Sequence, residues 1–277
     1  MNIGMIGTDS THPRAFAGIF HNAREGALAG VRVTHIWGSD PVVTAQIAQE
    51  REIPYVVREP LAMADAVDGV MILSRRGRDH TALALPFVER GMVVWVNKPF
   101  TDTVREARLL VDTAKRFGAY LCGGTTCKHV PAIGRIRELV SSGARGKCKG
   151  ASLCFQADPD SPFGGLAFYG SHLVEIGLAA FGQDYRTVSV RREGGDIVAD
   201  VTYDGFTVAL RFLKEAAPSV AKLHFERGGE EVALDISEGY SLALTHFAEV
   251  LRGKREGYSG SFLLRSVELM EEIVRAV

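Results

Sequence analysis

Short apolar runs alternate with amphipathic stretches along the first 122 residues of the chain. The clearest run is Met92–Val96, MVVWV, bounded by Gly91 and by the polar Asn97-Lys98-Pro99. Consecutive apolar residues between turn signals read as a strand buried on both faces, as in a parallel sheet covered by helices on each side. Asn2–Gly7, Val31–Trp37, Gly69–Leu73 and Ala119–Cys122 repeat the pattern. Between them, Pro13–Leu28, Pro41–Arg51, His80–Arg90 and Val104–Phe117 read as helices, the first with Phe16, Ile19 and Phe20 turned inward. Asp40-Pro41 supplies a cap and a first-turn proline for the second of these. Strands alternating with helices of about ten to fifteen residues predict an α/β, doubly wound, Rossmann-like parallel sheet over residues 1–122.

The pattern changes after Gly123-Gly124. Pro131–Ser142 reads as a helix, Lys147–Gln156 as a strand and Tyr169–Phe181 as a helix that is apolar nearly all round. Strand-like runs follow at Thr187–Arg192, Ile197–Tyr203, Thr207–Leu213, Ala221–Glu226 and Val232–Ile236. Asp204-Gly205 and Gly228-Gly229 stand between runs as hairpin turns. Two helices, Ser241–Arg252 and Ser261–Val277, close the chain. Residues 123–277 are therefore expected to form an α+β domain with a largely antiparallel sheet and helices on one face. Its open face favours a homo-oligomer.

Composition narrows the function classes. Of 277 residues 46 % are hydrophobic and 23 % charged, with a net charge of −1, so neither nucleic acid nor an anionic membrane is an expected partner. The four cysteines form no CxxC pair, no charged-then-apolar leader precedes the first strand, and no apolar run reaches membrane-spanning length. A cytoplasmic protein with free thiols is expected. No fixed-period repeat is present.

The chemistry clusters where the strands end. Lys98 leaves a strand at the carboxyl edge, where ligands of such sheets bind, and Pro99 holds it on a stiff turn. Thr8, Asp9, Ser10, Thr11 and His12 follow strand one. Asp9 or Ser10 can cap the helix that Pro13 begins. Asp9 and His12 are two ligands without a third, and no metal is expected. The loop Ser74-Arg75-Arg76-Gly77-Arg78-Asp79-His80 carries three arginines that suit a phosphate or carboxylate, unless it is simply a solvated basic loop. On the apolar helix His172 and Glu175 share one face, and buried ionisable groups need partners or a function. Such a pair can orient an imidazole as a general base, or close an interface by a structural hydrogen bond. Lys128 and Thr126 are further polar candidates at the entry to the second domain.

In this order the motifs resemble the glucose–fructose oxidoreductase/inositol dehydrogenase (Gfo/Idh/MocA) family. They are the opening NIGMIG, Asn97-Lys98-Pro99 where the family has Glu-Lys-Pro, Lys128-His129-Val130-Pro131 leading into IGRIRELVSSGARGK, and Tyr169-Gly170-Ser171-His172 where it has Asp-x-Gly-x-His. The resemblance implies NAD- or NADP-dependent hydride transfer on a small polar, sugar-like or hydroxy-acid, possibly anionic substrate, with Lys98 and His172 catalytic. It places Gly7, Thr8, Asp9, His12, Ser74, Arg75 and Asn97 toward the cofactor, and Arg76, Lys128, Tyr169 and Glu175 toward the substrate. The departures are specific. The GxGxxG turn reads Gly7-Thr8-Asp9-Ser10-Thr11-His12, so only its first glycine is kept and Asp9 would face a diphosphate. Trp37-Gly38-Ser39 stands where an acidic residue would bind the ribose, and Phe168 stands four residues before His172 where the family has Asp. A binding or regulatory protein without the dinucleotide, and a redox-free lyase or isomerase on the same Lys–His pair, remain the alternatives.

Overall fold

The computed structural model describes residues 1–258 and 260–277, in two compact units. The first comprises Met1–Gly124 and Tyr240–Leu264, the second Thr125–Gly239 and Arg265–Val277.

In the first unit six strands form one parallel sheet. They are β1 (Asn2–Ile6), β2 (Arg32–Trp37), β3 (Tyr55–Val56), β4 (Gly69–Ile72), β5 (Val93–Asn97) and β6 (Tyr120–Gly124). Their order, β3-β2-β1-β4-β5-β6, reverses between β1 and β4, the switch point at which ligands of open α/β sheets bind. The helices are α1 (His12–Asn22), α2 (Pro41–Glu50), α3 (Gly77–Val88) and α4 (Val104–Phe117). As read from sequence, Asp40 caps α2, accepting from the amides of Val42 and Val43 at 2.9 and 3.1 Å.

Three readings change. The helix expected over Pro13–Leu28 stops at Asn22, because Ala23 turns extended and Gly26 takes a φ of 70°; Gly26–Leu28 is a separate single turn. The two-residue strand β3 was too short to read, and it pairs with His35 and Ile36. Helix α3 begins at Gly77 and not at His80, which shortens the arginine loop and draws His80 into the first turn.

The second unit contains α5 (Pro131–Ser141), β7 (Cys148–Gln156), α6 (Leu166–Phe181), β8 (Thr187–Glu193), β9 (Asp196–Tyr203), β10 (Phe206–Leu213), β11 (Val220–Phe225) and β12 (Gly228–Ala233). The sheet order is β12-β11-β7-β10-β9-β8, antiparallel throughout except for the parallel pair β7 and β10. The hairpin expected at Gly228-Gly229 turns instead at Glu226-Arg227, since Phe225 pairs directly with Gly228. The last strand is displaced accordingly from Val232–Ile236. Helix α6 lies on β10 through Gly170 and Gly177. A Cβ there would come within 3.2 Å of Phe212 and 3.0 Å of Leu210, so the absence of side chains sets the close approach.

The closing helices are α7 (Gly239–Leu251) and α8 (Gly260–Ala276). The sequence reading assigned both to the second domain, yet residues 240–264 pack with the first unit. The reason is apolar: Ala243, Leu244, Phe247, Ala248 and Val250 join Ile3, Phe16, Phe20 and Trp95 in one core. Phe247 and Phe16 each meet the Trp95 ring edge-on at 6.0 Å. Among the described residues no helix is long and apolar enough to cross a membrane.

Phe247→Ala tests this assignment. Deleting a fully buried ring is expected to cost the first unit about 3–5 kcal/mol, read as a lowered urea midpoint. An unchanged midpoint would remove α7 from that core.

Candidate active site

In the first unit the polar residues gather at the carboxyl ends of β1, β4 and β5. Gly7 adopts a φ of 100°, and a Cβ there would lie 2.3 Å from the amide nitrogen of Ser74, so this turn accepts only glycine. The turn that follows differs from the expected phosphate loop. Thr11 is the residue before α1 and makes no side-chain cap, so neither Asp9 nor Ser10 caps that helix. Both reach across to the end of β4 instead. Ser10 Oγ donates to the carbonyl of Leu73 at 2.9 Å. The Asp9 carboxylate accepts the amide of Arg75 at 3.1 and 3.2 Å, and Arg75 Nε donates back to the Asp9 carbonyl at 2.7 Å. Asp9 is therefore engaged by a neighbouring loop and does not cap α1. Thr8 is buried, with its hydroxyl 3.1 Å from that of Thr44, so its side chain turns toward α2. Arg76 is exposed at the start of α3.

Lys98 and Asn97 end β5 almost wholly withdrawn from water, at 5 % and 2 % exposure. The Asn97 amide nitrogen donates to His12 Nδ1 at 3.2 Å, which leaves the ring proton on Nε2. Burial, with the positive charges of Lys98 and Arg75 nearby, lowers the His12 pKa to about 4. The ring is neutral at physiological pH, in an electropositive mouth. His80, a residue that sequence reasoning left inside the basic loop, is fully buried beneath these residues. Its Nδ1 meets the Pro99 carbonyl and its Nε2 the Ser74 carbonyl, each at 2.8 Å, so one ring ties the ends of β4 and β5 together. The available signal was a histidine one turn beyond a strand end, too common to single out.

In the second unit α6 places His172 half-buried, with Phe155 and Tyr169 at ring separations of 5.5 and 6.4 Å. Tyr169 is exposed and continues through Phe168 to Phe163 as an aromatic cluster. Glu175 and Lys128 were expected to face a substrate. They form an internal ion pair at 2.6 Å, with both side chains 2 % exposed. Both Glu175 oxygens also accept the Thr125 amide, each at 3.1 Å. A buried carboxylate demands such donors, which is why the pair turns inward. Sequence reasoning missed Thr125, whose Oγ1 lies 2.5 Å from His172 Nδ1. Cys127 Sγ approaches the same nitrogen at 3.6 Å, and burial pushes its thiol pKa up, which keeps it protonated. Among the described residues no group of three His, Cys, Asp or Glu gathers as metal ligands.

The residues of the first unit fit a dinucleotide at its reactive end. Ser74 Oγ and Asn97 Oδ1 are buried without a hydrogen-bond partner, on adjacent strand ends at the switch point. Orphaned polar atoms in such a place are matched by a ligand carrying both donors and acceptors, as a carboxamide does. At the other end the ribose-binding acid is absent, since Asp40 serves as a cap and the Trp37 indole donates to the Arg58 carbonyl at 3.2 Å.

A parallel sheet with this strand order and these polar strand ends defines a protein of the dinucleotide-binding Rossmann class. Residues 1–124 match the model of an oxidoreductase family, Gfo/Idh/MocA, described as having an NAD-binding Rossmann fold. Over 148 residues, or 52 % of this chain, it is 27 % identical to the rhizopine catabolism protein MocA of Rhizobium meliloti. The match spans 46 % of that protein, less than half its length. Two solved structures share the whole fold. The myo-inositol dehydrogenase of Lactobacillus casei in complex with NAD(H) and myo-inositol has a TM-score of 0.84 at 14 % identity, covering 100 % of this chain and 94 % of that one. An oxidoreductase from Agrobacterium radiobacter in complex with NAD+, L-tartaric acid and magnesium has a TM-score of 0.80 at 15 % identity, covering 100 % and 96 %.

The His12 environment makes a pH prediction. The folded ring takes its proton near 4 and the unfolded ring near 6.5, so the unfolded state holds more protons between these values. Stability is therefore expected to fall as pH drops through that window. Urea midpoints measured from pH 7 to 4.5 should decline less in His12→Gln than in the parent. Equal slopes would mean that the ring is not held neutral by the fold.

Proposed function

We propose that this protein is an NAD- or NADP-dependent oxidoreductase acting on a small polyhydroxylated or hydroxy-acid substrate. The observation that carries the reading is Lys98, withdrawn from water at the carboxyl end of β5 beside the unpartnered Ser74 Oγ and Asn97 Oδ1. A dehydrated ammonium with three donors on a fixed turn is suited to hold a substrate oxygen and stabilise it as it loses its proton. His172 takes that proton in oxidation and returns it in reduction. In this reading the bound nicotinamide supplies or accepts the hydride. Gly7, His12, Ser74, Arg75 and Asn97 hold the dinucleotide, and the exposed Arg76 and Tyr169 meet the substrate. The ligands of the two similar structures, myo-inositol and L-tartaric acid, are polyhydroxylated and support the substrate class.

Calorimetric titration with NAD and NADP is expected to show binding of one of them, weakened in Asn97→Leu. Lys98→Met should lower kcat at least about a hundredfold with a small change in thermal midpoint, and His172→Ala should do likewise. If the two groups serve one reaction, the double variant should be little worse than the poorer single variant. Turnover in Lys98→Met within twofold of the parent sinks the lysine's role. Absence of dinucleotide binding would replace the oxidoreductase reading by that of a binding protein.

A further inference from the structure

We infer that Thr125 is the positioning residue of His172, setting the tautomer of its ring in place of the carboxylate that the family carries four residues before the histidine. In this chain that helical position holds Phe168, which is buried and cannot accept a proton. The inference rests on the reading of His172 as the proton-transfer group.

Three observations carry it. The first is the contact itself: Thr125 Oγ1 lies 2.5 Å from His172 Nδ1, a short hydrogen bond. The second is that Thr125 is immobilised. Its amide is held by both oxygens of Glu175, and Glu175 is fixed by Lys128 at 2.6 Å away from solvent. Glu175 lies one helical turn from His172 on α6, so hydroxyl and ring are tied to the same turn. The third is the direction of the bond. Thr125 Oγ1 accepts the amide of Cys127 at 3.1 Å through one lone pair and keeps its hydrogen, which it can donate to the ring nitrogen. With the hydroxyl donating, Nδ1 carries no proton and the neutral ring keeps its proton on Nε2.

A hydroxyl differs from a carboxylate in what it does next. A carboxylate only accepts, so it favours a protonated Nδ1 and stabilises the imidazolium. A threonine hydroxyl donates to a bare Nδ1 and, by rotating about its C–O bond, accepts from a protonated one. The same side chain therefore supports the ring before and after Nε2 exchanges a proton. Phe155 and Tyr169 flank the ring at 5.5 and 6.4 Å, and of the two groups that approach Nδ1 the Thr125 hydroxyl, at 2.5 Å, is nearer than the Cys127 thiol, at 3.6 Å.

Thr125→Val removes the hydroxyl at constant shape, and Thr125→Ser restores it. Ring-nitrogen NMR of the purified protein, at a pH where His172 is neutral, is expected to show the Nε2–H tautomer in the parent and in Thr125→Ser, and a mixture in Thr125→Val. With a turned-over substrate, Thr125→Val should lower kcat about ten- to a hundredfold with KM within about threefold, while Thr125→Ser stays within about threefold of the parent. A parent tautomer that is already mixed, or one left unchanged by Thr125→Val, overturns the positioning role. If Thr125→Val does not fold, Thr125→Ala reads the same tautomer. A tautomer that moves as expected in a protein that binds no dinucleotide would leave Thr125 in its role and remove the oxidoreductase reading instead.

Discussion

The second unit is built around a carboxylate that water cannot reach. Taking Glu175 out of solvent costs on the order of several kcal/mol unless the charge is met by donors of good geometry. Lys128 and the Thr125 amide meet it, and the requirement has consequences for everything nearby. It draws the segment after β6 onto α6, fixes the start of the turn Thr126–His129, and so delivers the Thr125 hydroxyl to His172. The ion pair thereby fixes the hydroxyl that meets the His172 ring.

The first unit answers the same constraint differently. His12, Asn97, Lys98 and His80 are polar groups drawn into a sheet edge, and most of their hydrogen bonds close among themselves and with strand-end carbonyls. The Asp9 clasp on the loop after β4 belongs to this pattern, since both oxygens of its acidic side chain accept one backbone amide, that of Arg75, where the familiar turn would leave open glycines. Ser74 Oγ and Asn97 Oδ1 are the exceptions. Unmet polar atoms cost stability, and these two stand together at the carboxyl ends of the adjacent strands β4 and β5.

Much of the fold was legible in the chain. The alternation of MVVWV-like runs with capped helices gave the parallel sheet, and the Asp204-Gly205 turn gave a hairpin, because these are local rules of period and backbone conformation. The tertiary partners of the polar residues were not legible. Asp9 looked like a helix cap and lies against the amide of Arg75, 66 residues away; Glu175 looked like the histidine's partner and is bound to Lys128, 47 residues away.

The sequence by itself determined most of the strands and helices, the parallel and largely antiparallel character of the two sheets, and which ionisable groups stand on apolar elements. Those properties depend on neighbours within a turn or two. Only the tertiary structure decided that α7 completes the core beneath Trp95, that His80 joins the ends of β4 and β5, and that Thr125 faces the His172 ring. Each depends on the burial of an apolar face or the satisfaction of a withdrawn charge. Neither demand names its partner in the sequence, because any apolar surface or any donor of the right reach would meet it.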